Sequence, residues 1–345
     1  MKHLKNLVIV ATSFVLIGVA CTTSGTTTTD IVGNWVKSNG YDGNGRAGAV
    51  SFVIGDVAYV GSGFDGTERY SNFYSYQPTL DTWAQIAPLP GTKRNSAAAF
   101  TVAGKGYVAT GYDGINRLQD NWEYTPSTNT WAKKADLPDP ANSTLGSGAR
   151  YGAVGFGIGT FGYICSGYTG SHTKDLWQYN PLNDSWTQKK SMNTTDKRTG
   201  AVAMVYDSKA YIVSGTYNGT VVTEMAMYEP ATDTWTKKRD IANLSSDSYD
   251  DNYTSIVRSN AVGFVIGDKG YLATGENGAN VKTTWEYNFA TDVWTQKTNY
   301  ERSDRNSAVG FTVNGRGFVV TGRNSTYYFD NMEEFKPTAT YSAND

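Results

Sequence analysis

One nineteen-residue pattern recurs six times along this chain, and it decides what the chain can fold into. The first copy, G-R-A-G-A-V-S-F-V-I-G-D-V-A-Y-V-G-S-G, ends at Gly63; the others end at Gly111, Gly167, Gly215, Gly275 and Gly322. Each carries an Arg in second place: Arg46, Arg94, Arg150, Arg198, Arg258 and Arg305. An Ala follows three residues later, Phe (once Met204) six later, Tyr (once Phe318) thirteen later and Gly seventeen later. Two short apolar runs around a polar or glycine turn predict a β-hairpin, strands a and b. A repeat at this period means that no unit buries its apolar faces alone, so neighbours must stack.

A second hairpin follows. Y-Q-P-T-L-D-T-W, Y-T-P-S-T-N-T-W, Y-N-P-L-N-D-S-W, Y-E-P-A-T-D-T-W and Y-N-F-A-T-D-V-W each place Tyr and Trp seven apart, from Tyr76 and Trp83 to Tyr287 and Trp294. Pro, Thr, Asn and Asp between them are turn formers. These are strands c and d, and four antiparallel strands in about fifty residues make a propeller blade. The Arg before strand a, the Tyr in strand b and the Y-x-P-x-x-x-x-W hairpin resemble the Kelch repeat over nearly the whole chain. Kelch repeats usually end strand b in Gly-Gly, whereas this chain has Ser-Gly or Thr-Gly. The expected fold is all-β: a six-bladed propeller over residues 31–345.

The sixth unit has Phe335 in place of the Tyr and no Trp after it. The missing strand stands at the other end, in D-I-V-G-N-W-V-K. Trp35 lies eleven residues before Arg46, as Trp83 does before Arg94 and Trp294 before Arg305. The N-terminal strand should therefore complete the last blade and remove two open sheet edges. By the same reasoning the repeat Trp residues are inter-blade packing and not sugar platforms.

Residues 1–20 read as a signal peptide: a basic start at Lys2 and Lys5, then an apolar run from Leu7 to Ala20. I-G-V-A-C at 17–21 resembles a lipobox with Gly18 where Leu is usual, which implies lipid attachment at Cys21. Residues 21–30, polar and Thr-rich, would be the tether. The membrane is then reached only through this anchor, in a bacterial envelope and by expectation at the outer membrane. With Cys21 acylated, Cys165 has no disulfide partner and reads as a small buried hydrophobe. A net charge of −2 is no nucleic-acid footprint.

Strand a lines the axis of a propeller, and the small residues Gly48, Ala49, Ser96 and Ala97 suit that crowding. The d-to-a connections, which end at the repeat Arg, and the b-to-c loops, which follow the repeat Gly, open on one face. The resemblance implies that this face binds partners. The expected ligand groups are the six arginines, the loop aromatics Phe64, Tyr112, Tyr168 and Tyr217, and the carboxylates Asp65, Asp113 and Glu276. Aromatic faces with guanidinium and carboxylate groups suit a carbohydrate, including acidic sugars, or an acidic segment of an envelope protein. Two d-to-a connections are long, and Asp247, Asp250 and Asp251 in one of them match no calcium-loop spacing. No cofactor or metal is expected.

Proteins with such repeats are often likened to galactose oxidase, but past the signal peptide His172 is the only imidazole. A two-imidazole copper site is excluded, and a Ser-His-Asp triad has one candidate. His172, in G-S-H-T-K, reads as a polar loop residue. The enzymatic alternative is a sialate-mutarotase-like epimerase, by analogy of fold, with Glu276 beside Arg258 and Arg305 as the acid/base candidate.

Overall fold

A computed structural model describes residues 32–139, 148–192, 197–242 and 256–343. The leader, Cys21, the tether and the Asp247, Asp250 and Asp251 cluster lie outside the described residues. Within them there is no α-helix, and strands build six four-stranded antiparallel sheets. In the first blade, strands a to d are Val50–Ile54, Val57–Gly61, Phe73–Gln77 and Thr82–Ile86. In the last, Val309–Val313, Arg316–Val320 and Met332–Lys336 are completed by Asn34–Ser38 from the N-terminus. Trp35 pairs with Phe335, the register read from the spacing.

Burial follows strand position. Strand b is covered by blades on both sides, so Val57–Gly61 is buried in four of its five residues. Strand d lies outermost, and Thr82–Ile86 buries only Trp83. The single Trp is thus the anchor of each outer strand. It packs on the Tyr of its own hairpin, as Trp131 does on Tyr124 with centroids 5.0 Å apart, and on Phe52 of the preceding blade at 6.3 Å.

Three belts of hydrogen bonds explain why the repeat columns are what they are. The outer belt runs from Trp Nε1 to a carbonyl of the preceding blade: Trp83 to Asn39, Trp131 to Ala87, Trp186 to Ala135, Trp235 to Lys190 and Trp35 to Thr298, at 2.7–3.2 Å. Nearer the axis, the amide of each repeat Gly donates to the carbonyl of the repeat Arg in the following blade, from Gly63 with Arg94 round to Gly322 with Arg46, at 2.7–3.1 Å. A Cβ on Gly63, at φ +101°, would stand 3.1 Å from Arg46 Cδ, so this column needs glycine. The innermost belt links the residues two after each Arg. Gly48, Ser96, Gly152, Gly200, Asn260 and Ser307 form a closed ring of backbone bonds of 2.8–3.0 Å. All six have φ between +51° and +64°, the left-handed region, which suits a column of Gly, Ser and Asn.

The seam also accounts for the one odd residue in the Tyr column. In five blades the Tyr hydroxyl donates to the Asp or Asn of its own c–d turn, as Tyr76 does to Asp81 and Tyr124 to Asn129. The sixth blade has no c–d turn, because its strands c and d come from opposite ends of the chain. A hydroxyl there would be buried without a partner, and the chain has Phe335, 1% exposed. Phe335→Tyr is expected to cost about 1–3 kcal/mol in urea denaturation. An unchanged midpoint would contradict this account of the column.

Candidate functional site

Where strand a begins and strand b ends, every blade carries a short three-residue ladder. The residue after the Arg bridges to the residue after the repeat Gly, and this one bridges back to a residue of its own b-to-c loop. Directly paired residues in a ladder share a face. In chain order the six ladders are Ala47, Phe64 and Arg69; Asn95, Tyr112 and Arg117; Tyr151, Tyr168 and His172; Thr199, Thr216 and Val221; Ser259, Glu276 and Asn280; Asn306, Arg323 and Tyr328. Together they surround a central cavity of about 280 Å³, lined by Phe64, Asn95, Tyr151, Asn260, Arg323 and Tyr328 among others. Below it the axis is narrowed by the alanines that open strand a.

The mouth has two unlike halves. Over blades one to four, side chains touch in a continuous arc: Tyr112 to Tyr151 at 5.4 Å, Tyr151 to Tyr168 at 5.4 Å, Tyr168 to His172 at 5.2 Å and His172 to Tyr217 at 5.4 Å. The Arg69 guanidinium lies over Phe64 at 4.6 Å and Tyr112 at 5.2 Å, and that of Arg117 over Tyr168 at 5.9 Å. Burial, together with the charge of Lys197, holds the His172 imidazole below its ordinary pKa. Over blades five and six the lining is mixed, with Asn260 and Glu276 beside Arg323 and with Tyr328 reaching Phe64 at 6.1 Å. Glu276 Oε1 accepts from Asn260 Nδ2 at 2.7 Å and Oε2 from Asn306 Nδ2 at 2.9 Å. Asn306 Nδ2 also donates to Asn280 Oδ1 at 2.8 Å.

The sequence places the six repeat arginines among the ligand groups, and here the structure corrects it. Arg46, Arg94, Arg150, Arg198, Arg258 and Arg305 are all 0% exposed. In each, Nη1 donates to the carbonyl of the Ser or Thr that ends strand b, at 2.8–3.1 Å. The same nitrogen reaches the head of strand c: Asn72, Asp120, Asp175, Glu224, Thr283 and Asn331. An Arg in every blade ties strands a, b and c together under the loops. This is why all six are kept and why none meets the cavity.

Two of the three candidate carboxylates are also taken up locally. Asp65 accepts the amides of Thr67 and Glu68 and the hydroxyl of Tyr70. Burial opposes its ionisation, but the Tyr70 bond and the loop amides prevail and hold it below the usual carboxylate range. Asp113 accepts the amides of Ile115 and Asn116 at 2.7 and 2.6 Å. Both shape their own turns. The aromatics Phe64, Tyr112, Tyr168 and Tyr217 do reach the face, half-buried, and Glu276 is the carboxylate the structure leaves in the site. Tyr151, Arg69, Arg117, Asn260, Asn306, Arg323 and Tyr328 belong to it as well, and sequence reasoning did not single them out. The column just after the repeat Arg held the available signal, because it varies where its neighbours do not.

Among the described residues no group of His, Cys, Asp and Glu is placed to hold a metal. Cys165 is buried, and burial, chiefly, pushes its thiol up to about 12. These features define a six-bladed β-propeller closed by its own N-terminal strand, with a mouth that carries an aromatic arc over blades one to four and a mixed polar lining over blades five and six. Among solved structures the chain is similar to one titled "Structure of YjhT", with a TM-score of 0.68 at 15% identity, covering 86% of this chain and 96% of that one. That likeness establishes the fold. No family model matches the sequence, and no curated protein does.

Proposed function

We propose that this protein is a carbohydrate-binding propeller of the Kelch type, held at the bacterial envelope by a lipid on Cys21. The observation that carries the binding reading is the division of the mouth. Half-buried aromatic rings give the apolar faces of a sugar a surface to stack on, and Asn95, Asn260 and Arg323 supply polar groups on the wall of a concave site. The leader and the Cys-containing motif support the address.

Tyr151 is the ring that both lines the cavity and touches its neighbours on either side. Tyr151→Ala is expected to weaken glycan binding at least about tenfold, the equivalent of 1.4 kcal/mol. Calorimetric titration against a glycan panel, beside a melting curve for each variant, checks it. Unchanged affinity in a folded Tyr151→Ala protein would defeat this reading. Glu276 supports the mutarotase-like alternative, as a carboxylate at the cavity edge. Its oxygens each accept an amide, which favours orienting a ligand over moving protons. Accelerated anomer exchange in the same samples, lost in Glu276→Gln, would replace the binding reading with the enzymatic one.

A further inference from the structure

Resting on the carbohydrate reading, we infer that the ligand is a chain of several sugar units bearing acidic groups, laid along the arc of blades one to four. The first reason is extent. Phe64, Arg69, Tyr112, Tyr151, Tyr168 and His172 form one run of touching side chains across three adjacent blades, and Tyr217 extends it to a fourth. A single pyranose ring stacks on one or two such rings. The rest of the run has work only if further units follow.

The second reason is the place of the cations. Arg69 and Arg117 occupy the same position of successive ladders, so two guanidinium groups stand one blade apart beside the rings, followed at that position by the neutral His172. Neither Arg69 nor Arg117 has a carboxylate within ion-pair distance among the described residues. Asp113 feels the charge of Arg69, but its Oδ1 is bound to the turn amides. Arg69 gives Nε to Asn95 Oδ1 at 2.7 Å, which orients the guanidinium over the rings. Stacked guanidinium groups with donor edges at intervals suit carboxylates or sulfates that recur along a polymer.

The third reason is exclusion. Glu276 stands in the opposite half, fixed by Asn260 and Asn306. An acidic unit there would meet a like charge in a partly desolvated place. Arg323 offsets part of that repulsion on the cavity wall, so the like charge of Glu276 adds to the pull of Arg69 and Arg117 and the acidic units are placed chiefly along the arc.

Calorimetry on the full chain tests this with oligogalacturonates from monomer to hexamer, their methyl esters as the neutral counterpart, sulfated chondroitin oligosaccharides, and polyglutamate as an acidic protein mimic. Affinity is expected to rise steeply from monomer to trimer for at least one acidic series and to fall as salt is added. The pair Arg69→Gln and Arg117→Gln, both exposed or half-buried and outside the three belts, should lose about tenfold or more on the acidic chain with the melting temperature retained. Equal binding of the methyl esters, or a monomer as tight as the hexamer, overturns the acidic-chain proposal and leaves the carbohydrate reading standing. Tighter binding of polyglutamate, or no binding of any glycan here and in the neutral panel, overturns both.

Discussion

A chain lacking residues 31–37 is expected to lose cooperative folding under conditions where the full chain is native. Trp35 is 1% exposed and packs on Phe264, Tyr300 and Phe335, with centroids 6.5, 4.9 and 4.7 Å away. Losing one such side chain costs about 3–5 kcal/mol. The deletion also removes four of the five pairs of the ladder with Met332–Lys336, the Trp35 Nε1 bond to Thr298 and the cover over a strand edge. Against a total stability of about 5–15 kcal/mol, this leaves no margin. Melting followed by near-ultraviolet dichroism reads the loss, and a synthetic peptide of residues 31–39 added in trans should restore part of the transition. A truncated chain melting with the full-length midpoint would show that the ring does not depend on this strand.

That expectation was open to sequence reasoning because closure leaves a count: five complete blades, one short blade and one unpaired strand at a matching distance. The columns that recur in every copy disclosed the architecture for the same reason. What recurs in all six blades serves what all six blades share, namely packing on a neighbour. Arg150 and Trp131 were both visible, yet the sequence gives no way to see that the arginine lies beneath the loops and not on them. The site is written in columns that differ between blades. Tyr151 stands between an invariant Arg and the positive-φ column of Gly, Ser and Asn, and it is the lone aromatic among Ala47, Asn95, Thr199, Ser259 and Asn306. The sequence places His172 in a polar loop, whereas it opens the strand His172–Asn180, and its place between Tyr168 and Tyr217 depends on two blades meeting. Phe335 looked like a lapse of the repeat until the open c–d turn supplied its reason.

Arg150→Ala is expected to destabilise the fold by about 3–5 kcal/mol near neutrality, because it leaves a buried carboxylate without its partner. Arg150 Nη1 and Nη2 hold Asp175 in a two-pronged pair at 2.8 and 2.9 Å, and the Asp175 side chain is 12% exposed. Burial by itself raises the Asp175 pKa; the charge and hydrogen bonds of Arg150, with Trp177 Nε1, outweigh it and hold the carboxyl below the usual range. In the natural protein this pair therefore contributes stability above the unfolded carboxylate pKa of about 3.9, and loses it as pH falls through the lower folded value. In Arg150→Ala the sign reverses. The unpaired, buried carboxyl titrates above its unfolded value, so its cost is full at neutral pH and is relieved as pH falls through the raised value. The stability gap between the two proteins should narrow in mild acid. Arg150→Lys should recover little, because a point charge cannot bridge Asp175, the Ser166 carbonyl and the Gly148 carbonyl together. Urea denaturation of the three proteins at neutral and mildly acidic pH measures the gap, and glycan titration well below each midpoint shows whether the folded variants still bind. Retained stability with lost binding would return the repeat arginines to the ligand. The expected result, lost stability with binding retained in the folded fraction, assigns them to the frame that holds the mouth open.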